Sequence, residues 1–165
     1  MPGAVDGSEL AVRAVLGQQI SLAAARTLAG RLVAAAGDRV AAPDGALTHV
    51  WPRPEAVMEA AGAMPMPRAR RVALAAVAEA LASEDLRLEP GADPAETRLR
   101  LLELPGIGPW TAEYIAMRAL ADPDAWLPTD VGVRHGLARL GVGPEAAEAW
   151  RPYRAHAVAH LWASG

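Results

Sequence analysis

Two features of this sequence are equipped for chemistry. The first is the run Leu104-Pro105-Gly106-Ile107-Gly108-Pro109. Glycine accepts positive φ, so the chain can reverse in a few residues, and Pro109 suits the first turn of a following helix. A helix entered this way presents unpaired backbone N–H groups suited to a phosphate oxygen, while the preceding carbonyls could hold a monovalent cation. A plain helix–helix connection without a ligand fits the same residues. A dinucleotide fingerprint does not: its third glycine position is Thr111, and no strand pattern precedes the turn. The second feature is Asp130, which follows Trp126-Leu127-Pro128-Thr129. Thr129 or Asp130 at a helix start is an ordinary cap. The same position favours an ionised carboxylate, because the helix N-terminus is positive.

Other residue types surround these two. Trp110 and Tyr114 stand at i and i+4 on one helix face. Aromatic faces of this kind stack on a flipped base and attract a cation, and they equally pack a core. Trp51, Trp126 and Trp150 are read as core. Gln18 and Gln19 interrupt two apolar helical patterns and form an interhelix turn. Arg68, Arg70 and Arg71 make the sharpest basic cluster, either a solvated helix face or a set of phosphate contacts. Arg134 lies four residues beyond Asp130 on the same helix face. His156 and His160 are also at i, i+4, but no H-E-x-x-H pattern accompanies them, so packing or surface placement is the reading. Glu113 is given no catalytic role.

The elements that must position these groups are helical. Apolar periodicity predicts helices over about Glu9–Leu16 (capped by Ser8), Ser21–Ala36, Glu55–Ala61, Arg68–Leu81, Ala95–Glu103, Pro109–Ala119, Asp130–Arg139, Glu145–Trp150 and Pro152–Trp162. Asp38–Pro54 and Glu89–Pro94 read as loops, and no strand alternation is seen. Extended, the loop Ala121–Pro128 spans roughly 26 Å, enough to run back along a helix roughly 18 Å long. Asp130 can therefore return to the Gly-x-Gly side, although spacing does not force it to.

Composition narrows the classes. The chain has 165 residues, of which 52% are hydrophobic, sufficient for a real core in one domain or two small lobes. Cysteine is absent, so there is no disulfide, Cys-ligated zinc or thiolate-held iron–sulfur cluster. Lysine is absent too, so the 16 basic residues are all Arg and no side-chain amine can form a Schiff base. The formal net charge of −3 weighs against indiscriminate polyanion binding but leaves room for a local phosphate site. No targeting or membrane segment is recognised, which gives the expectation of a soluble intracellular protein.

The stretch LPGIGPWTAEYIAMRAL followed by WLPTDVGVRHGL resembles the helix-hairpin-helix DNA glycosylase superfamily, and most closely the DNA-3-methyladenine glycosylase II family. AVRAVLGQQISLAAAR, MPRARRVALAAVAEAL and WRPYRAHAVAHLW extend the resemblance from about Val5 to Trp162. It implies an all-α fold with two helical lobes, approximately 8–121 and 122–165 of a single 1–165 domain, and a cleft between them. The β-rich N-terminal domain of the family is expected to be missing here. The implied activity is hydrolysis of the N-glycosidic bond of an alkylated base after base flipping, in base-excision repair. Asp130 is then the catalytic carboxylate, and Trp110, Tyr114 and Trp162 form the base pocket. Gly106, Ile107, Gly108, Thr111, Gln18, Gln19 and Arg134 contact double-stranded DNA. Gln19 stands where the family carries an apolar wedge. Trp110 stands where strand-cleaving relatives carry Lys, which implies a monofunctional enzyme with water as nucleophile. No organic cofactor is required, and a structural Na+ or K+ is expected on the carbonyls of Leu102, Leu104 and Ile107. The expected state is a cytoplasmic, nucleoid-associated monomer. The rival is a non-catalytic helix-hairpin-helix DNA-binding module.

Overall fold

The computed structural model describes residues 3–89 and 91–164. Helices dominate: α1 (Gly7–Leu16), α2 (Leu22–Ala36), α3 (Pro54–Ala61), α4 (Arg68–Ala82), α5 (Pro94–Glu103), α6 (Pro109–Ala119), α7 (Val131–Leu140) and α8 (Arg154–Ala163). Among the described residues, no helix is long and apolar enough to cross a membrane.

Helix starts follow local chemistry, with some differences from expectation. Asp6, not Ser8, caps α1, its carboxylate accepting from the Ser8 and Glu9 amides. Asp93 caps α5 through the Ala95 amide, so that helix begins one residue early, at Pro94. Pro144–Trp150 is 3-10 helix rather than α, a form common in short connectors. The link expected over Glu89–Pro94 includes Pro90, which lies outside the described residues.

The reading of Asp38–Pro54 as loop needs correction. Arg39–Asp44 (β1) and Leu47–His49 (β2) pair antiparallel, with Arg39 opposite His49 and Asp44 opposite Leu47. The turn carries Asp44-Gly45, with Gly45 at φ +55°, a short hairpin signal. Both strands are largely exposed, so no face is buried and no hydrophobic alternation marks them. Apart from this ribbon the fold is helical.

Buried side chains fall into two clusters. One unites α1 to α6 through residues such as Leu16, Leu32, Leu74, Val77, Leu101 and Ile115. The other gathers Met117, Leu127, Val133, Leu137, Val158 and Leu161. The change from one to the other falls within α6, between Ile115 and Met117. Tyr114 packs against both, so the hairpin helix joins the two cores.

Candidate active site

The Gly-x-Gly turn joins α5 to α6. Gly106 has φ +78°, and a Cβ there would lie 2.8 Å from the Ala73 Cβ of α4. Conformation and contact therefore both demand glycine at this position. Gly108 is different: it precedes α6 in extended conformation, and a Cβ there would meet nothing within 4 Å. The Ile107 side chain is buried, and its N–H donates to the Leu104 carbonyl at 3.2 Å. Among the described residues, the amides of Gly108, Trp110 and Thr111 are not taken up by backbone bonds. They form the positive end of α6. The Leu104 carbonyl is partly occupied by Ile107, whereas those of Leu102 and Ile107 are not used by the turn's backbone bonds. Carbonyl oxygens of this kind are hard donors and fit a monovalent cation.

Asp130 is the N-cap of α7. Its Oδ1 accepts from the Val133 amide at 2.9 Å and from Trp162 Nε1 at 2.7 Å. Its Oδ2 accepts from Trp110 Nε1 at 3.1 Å. The loop after α6 thus does return Asp130 to the hairpin side. Trp110 stacks on Tyr114, with ring centroids 5.2 Å apart and planes 6° from parallel. Tyr114 meets Trp162 at 6.4 Å with a tilt of 53°. One carboxylate and three aromatic rings, drawn from α6, the cap of α7 and α8, therefore stand together. The carboxylate is half-buried, with two N–H donors on Oδ1 and one on Oδ2. Trp110 also lines a cavity of about 710 Å³ with Leu99, Leu102, Pro109, Trp126 and Thr129.

Other predicted residues are placed differently. Gln18 does not offer a free amide: its Nε2 donates to the Gly106 carbonyl at 3.0 Å and to Thr111 Oγ1 at 3.1 Å. It braces the hairpin, a role the sequence left unseen because its partners lie far along the chain. The Thr111 side chain is correspondingly buried, so only its amide faces the α6 terminus. Gln19 is exposed with φ +58°, a conformation a non-glycine residue seldom adopts in a plain turn. Arg134 is exposed on α7. Of the basic cluster, Arg70 lines a groove of about 530 Å³ with Ile20, Thr27, Arg31 and Met66. Trp51 packs on the first core beneath the Arg13 guanidinium, at 4.4 Å, and Trp126 meets Trp150 edge-on at 5.9 Å. His156 and His160 are exposed, and no group of metal-binding side chains occurs among the described residues.

Two ionic networks hold the frame and were not foreseen. Arg98 of α5 bridges Glu113 of α6 (2.8 Å) and Asp122. Burial opposes the Arg98 charge, but hydrogen bonds to Glu113 and Asp122 outweigh it and raise its pKa. Asp124 is forked by Arg154 (2.7 and 2.8 Å) and touched by Arg151 (2.6 Å), which ties the loop before Asp130 to α8. The Arg154 hydrogen bond, chiefly, holds the Asp124 carboxyl below the usual carboxylate range. The motifs ADPD and RPYR carry these charges, but sequence alone does not pair residues so far apart.

With this geometry in place, comparison with known proteins is informative. No family model matches the chain. The chain is 46% identical over 169 residues to a Mycobacterium tuberculosis protein described as "Probable bifunctional transcriptional activator/DNA repair enzyme AlkA", covering 98% of the chain and 34% of that protein. It is 34% identical over 170 residues to the Escherichia coli DNA-3-methyladenine glycosylase 2, covering 98% of the chain and 59% of that protein. The chain thus spans between a third and three fifths of the length of these relatives. The Archaeoglobus fulgidus 3-methyladenine DNA-glycosylase structure superposes with a TM-score of 0.80 at 23% identity, over 98% of this chain and 58% of that one. At that identity the last comparison speaks to the fold. Fold and hairpin together indicate the class: over nearly all its length the chain is similar to members of the helix-hairpin-helix DNA glycosylase superfamily. Within it, the sequence aligns with the DNA-3-methyladenine glycosylase II family.

Proposed function

We propose that this chain is the catalytic unit of a monofunctional DNA glycosylase that hydrolyses the N-glycosidic bond of alkylated bases, 3-methyladenine among them. The observation that carries this reading is the Asp130 carboxylate, held between Trp110 and Trp162 beside the free amides of α6.

Cleavage of the bond between base and sugar develops oxocarbenium character on the sugar. A fixed carboxylate stabilises that charge or aligns a water on it. Three N–H donors fix the direction of the Asp130 carboxylate before the substrate arrives. The Trp110, Tyr114 and Trp162 rings offer faces to a flipped base, and a cationic methylated purine is attracted more than a neutral one. Water is the nucleophile, since the sequence has no lysine to attack the sugar.

DNA is held through phosphate contacts at the amides of Gly108, Trp110 and Thr111. The carbonyls of Leu102, Leu104 and Ile107 would hold a Na+ or K+, which would offset phosphate charge there. Gln19, exposed and in a left-handed turn, is the side chain that fills the gap left by the flipped base. Arg134, Arg31 and Arg70 supply further phosphate contacts. The protein acts as a monomer in this reading, on double-stranded DNA carrying a damaged base, with the cleft between lobes 8–121 and 122–165.

The test is incubation with a duplex carrying methylated purines. Free methylated base appears in solution, and the strand stays intact until the abasic site is broken with alkali. Tight duplex binding with no base released from any methylated substrate would instead select the non-catalytic DNA-binding module.

A further inference from the structure

Gly132 lies in the first turn of α7, where glycine weakens a helix and no left-handed backbone requires it. Its reason must be space. A Cβ at this position would stand 2.7 Å from Trp162 Cδ1, 3.2 Å from Trp162 Nε1 and 3.2 Å from Asp130 Oδ1. A methyl group would therefore occupy the gap in which the indole N–H reaches the carboxylate at 2.7 Å. The atoms met belong to a rigid ring packed on the second core, so the whole indole would have to move.

We propose that Gly132 is a positioning residue for base release: its missing side chain lets the Trp162 indole seat on Asp130 and fix the carboxylate's direction. The inference rests on the glycosylase reading for its kinetic consequence, but not for its structural one. Gly136, one turn further along α7, provides the contrast. A Cβ there would meet Leu161, at 2.7 Å from Cδ2 and 3.0 Å from the carbonyl oxygen. Gly136 allows α7 and α8 to approach and touches nothing in the site. The two glycines share one helix face, yet only the first opens onto the carboxylate.

The experiment compares Gly132→Ala with Gly136→Ala, following the indole N–H resonances of tryptophan-labelled protein. Trp162 is assigned by the signal lost in Trp162→Ala. In Gly132→Ala the Trp162 resonance moves upfield as its hydrogen bond to Asp130 breaks. In Gly136→Ala the melting temperature falls and that resonance stays. Base release from a 3-methyladenine duplex slows by about tenfold or more in Gly132→Ala at saturating enzyme, with duplex affinity unchanged. In the Trp162→Ala background, Gly132→Ala costs nothing further. If Gly132→Ala alone does not fold, the Gly132→Ala/Trp162→Ala pair folds, because the ring it strikes is gone. An unmoved Trp162 resonance in Gly132→Ala, a full additional loss of rate in the Trp162→Ala background, or a pair that also fails to fold overturns the inference. A moved resonance in a protein whose wild type releases no base leaves the positioning role standing and refutes the glycosylase reading.

Discussion

Asp130 serves as a helix cap and as the centre of a three-donor grip, and the two duties explain each other. The cap fixes the carboxylate at the positive end of α7, and the indoles then fix its rotation. Trp110 contributes the only one of these donors that reaches Oδ2. Trp110→Phe keeps an aromatic face but removes the N–H. A hydrogen bond to a charged group contributes about 1.5–3 kcal/mol, and this one is only half-buried. Base release should therefore slow by roughly tenfold, with little change in melting temperature, as measured by single-turnover kinetics and calorimetry. At this scale the sequence was partly legible. The i, i+4 spacing puts Trp110 and Tyr114 on one face, but nothing local brings Trp162 to them. Its place came from family resemblance, and the direction of each indole N–H could not be read at all.

The hairpin shows how two similar glycines differ in duty. Gly106 is bound to the fold by its positive φ and by Ala73, whereas Gly108 faces open space. Gly106→Ala should destabilise the protein by about 3 kcal/mol, combining a left-handed alanine with overpacking on α4. Gly108→Ala should leave stability within about 0.5 kcal/mol and weaken duplex binding, because the added methyl points where the phosphate would come. Denaturant titration and binding isotherms separate the two. The loop that delivers Asp130 depends on the Asp124–Arg154 fork. Because the folded Asp124 pKa is lowered, its stabilisation is complete above the unfolded value of about 3.9. It is lost as pH falls below that and through the folded value. Asp124→Asn should therefore lower the melting temperature at neutral pH, with the difference shrinking below about pH 4, in melts across an acid series. Elements were the most legible level, since apolar periodicity and Gly/Pro punctuation mark every α-helix. The β1–β2 ribbon escaped because exposed strands leave no alternation, although Asp44-Gly45 did announce a turn. The ionic networks escaped because charge pairing across 15 to 30 residues leaves no local pattern.

On the whole molecule, the charge balance decides how DNA can be held. A net charge of −3 without a single lysine argues for a few placed contacts rather than a broad basic field. Two or three phosphates neutralised by arginine predict a log–log salt slope of about −2 to −3, and Arg134→Ala should reduce it by about 1. Fluorescence anisotropy over a salt series measures both. The two buried clusters meet at Tyr114, and the indole partners of the carboxylate, Trp110 and Trp162, pack on the second cluster beside that junction. The predominantly helical class was legible from pattern alone. The convergence of α6, α7 and α8 was not, since spacing permits the return of Asp130 without requiring it.

The central claim is that the Asp130 carboxylate drives base release. It is tested most directly by Asp130→Asn, in single-turnover release of 3-methyladenine from a duplex bound to saturation. Asparagine still caps α7, so melting temperature and duplex affinity should stay near those of the wild type. The neutral amide sets N–H against the Trp110 or Trp162 donor and offers no charge to the sugar. Release should then fall by at least about 100-fold. Release at the wild-type rate from Asp130→Asn would contradict the account.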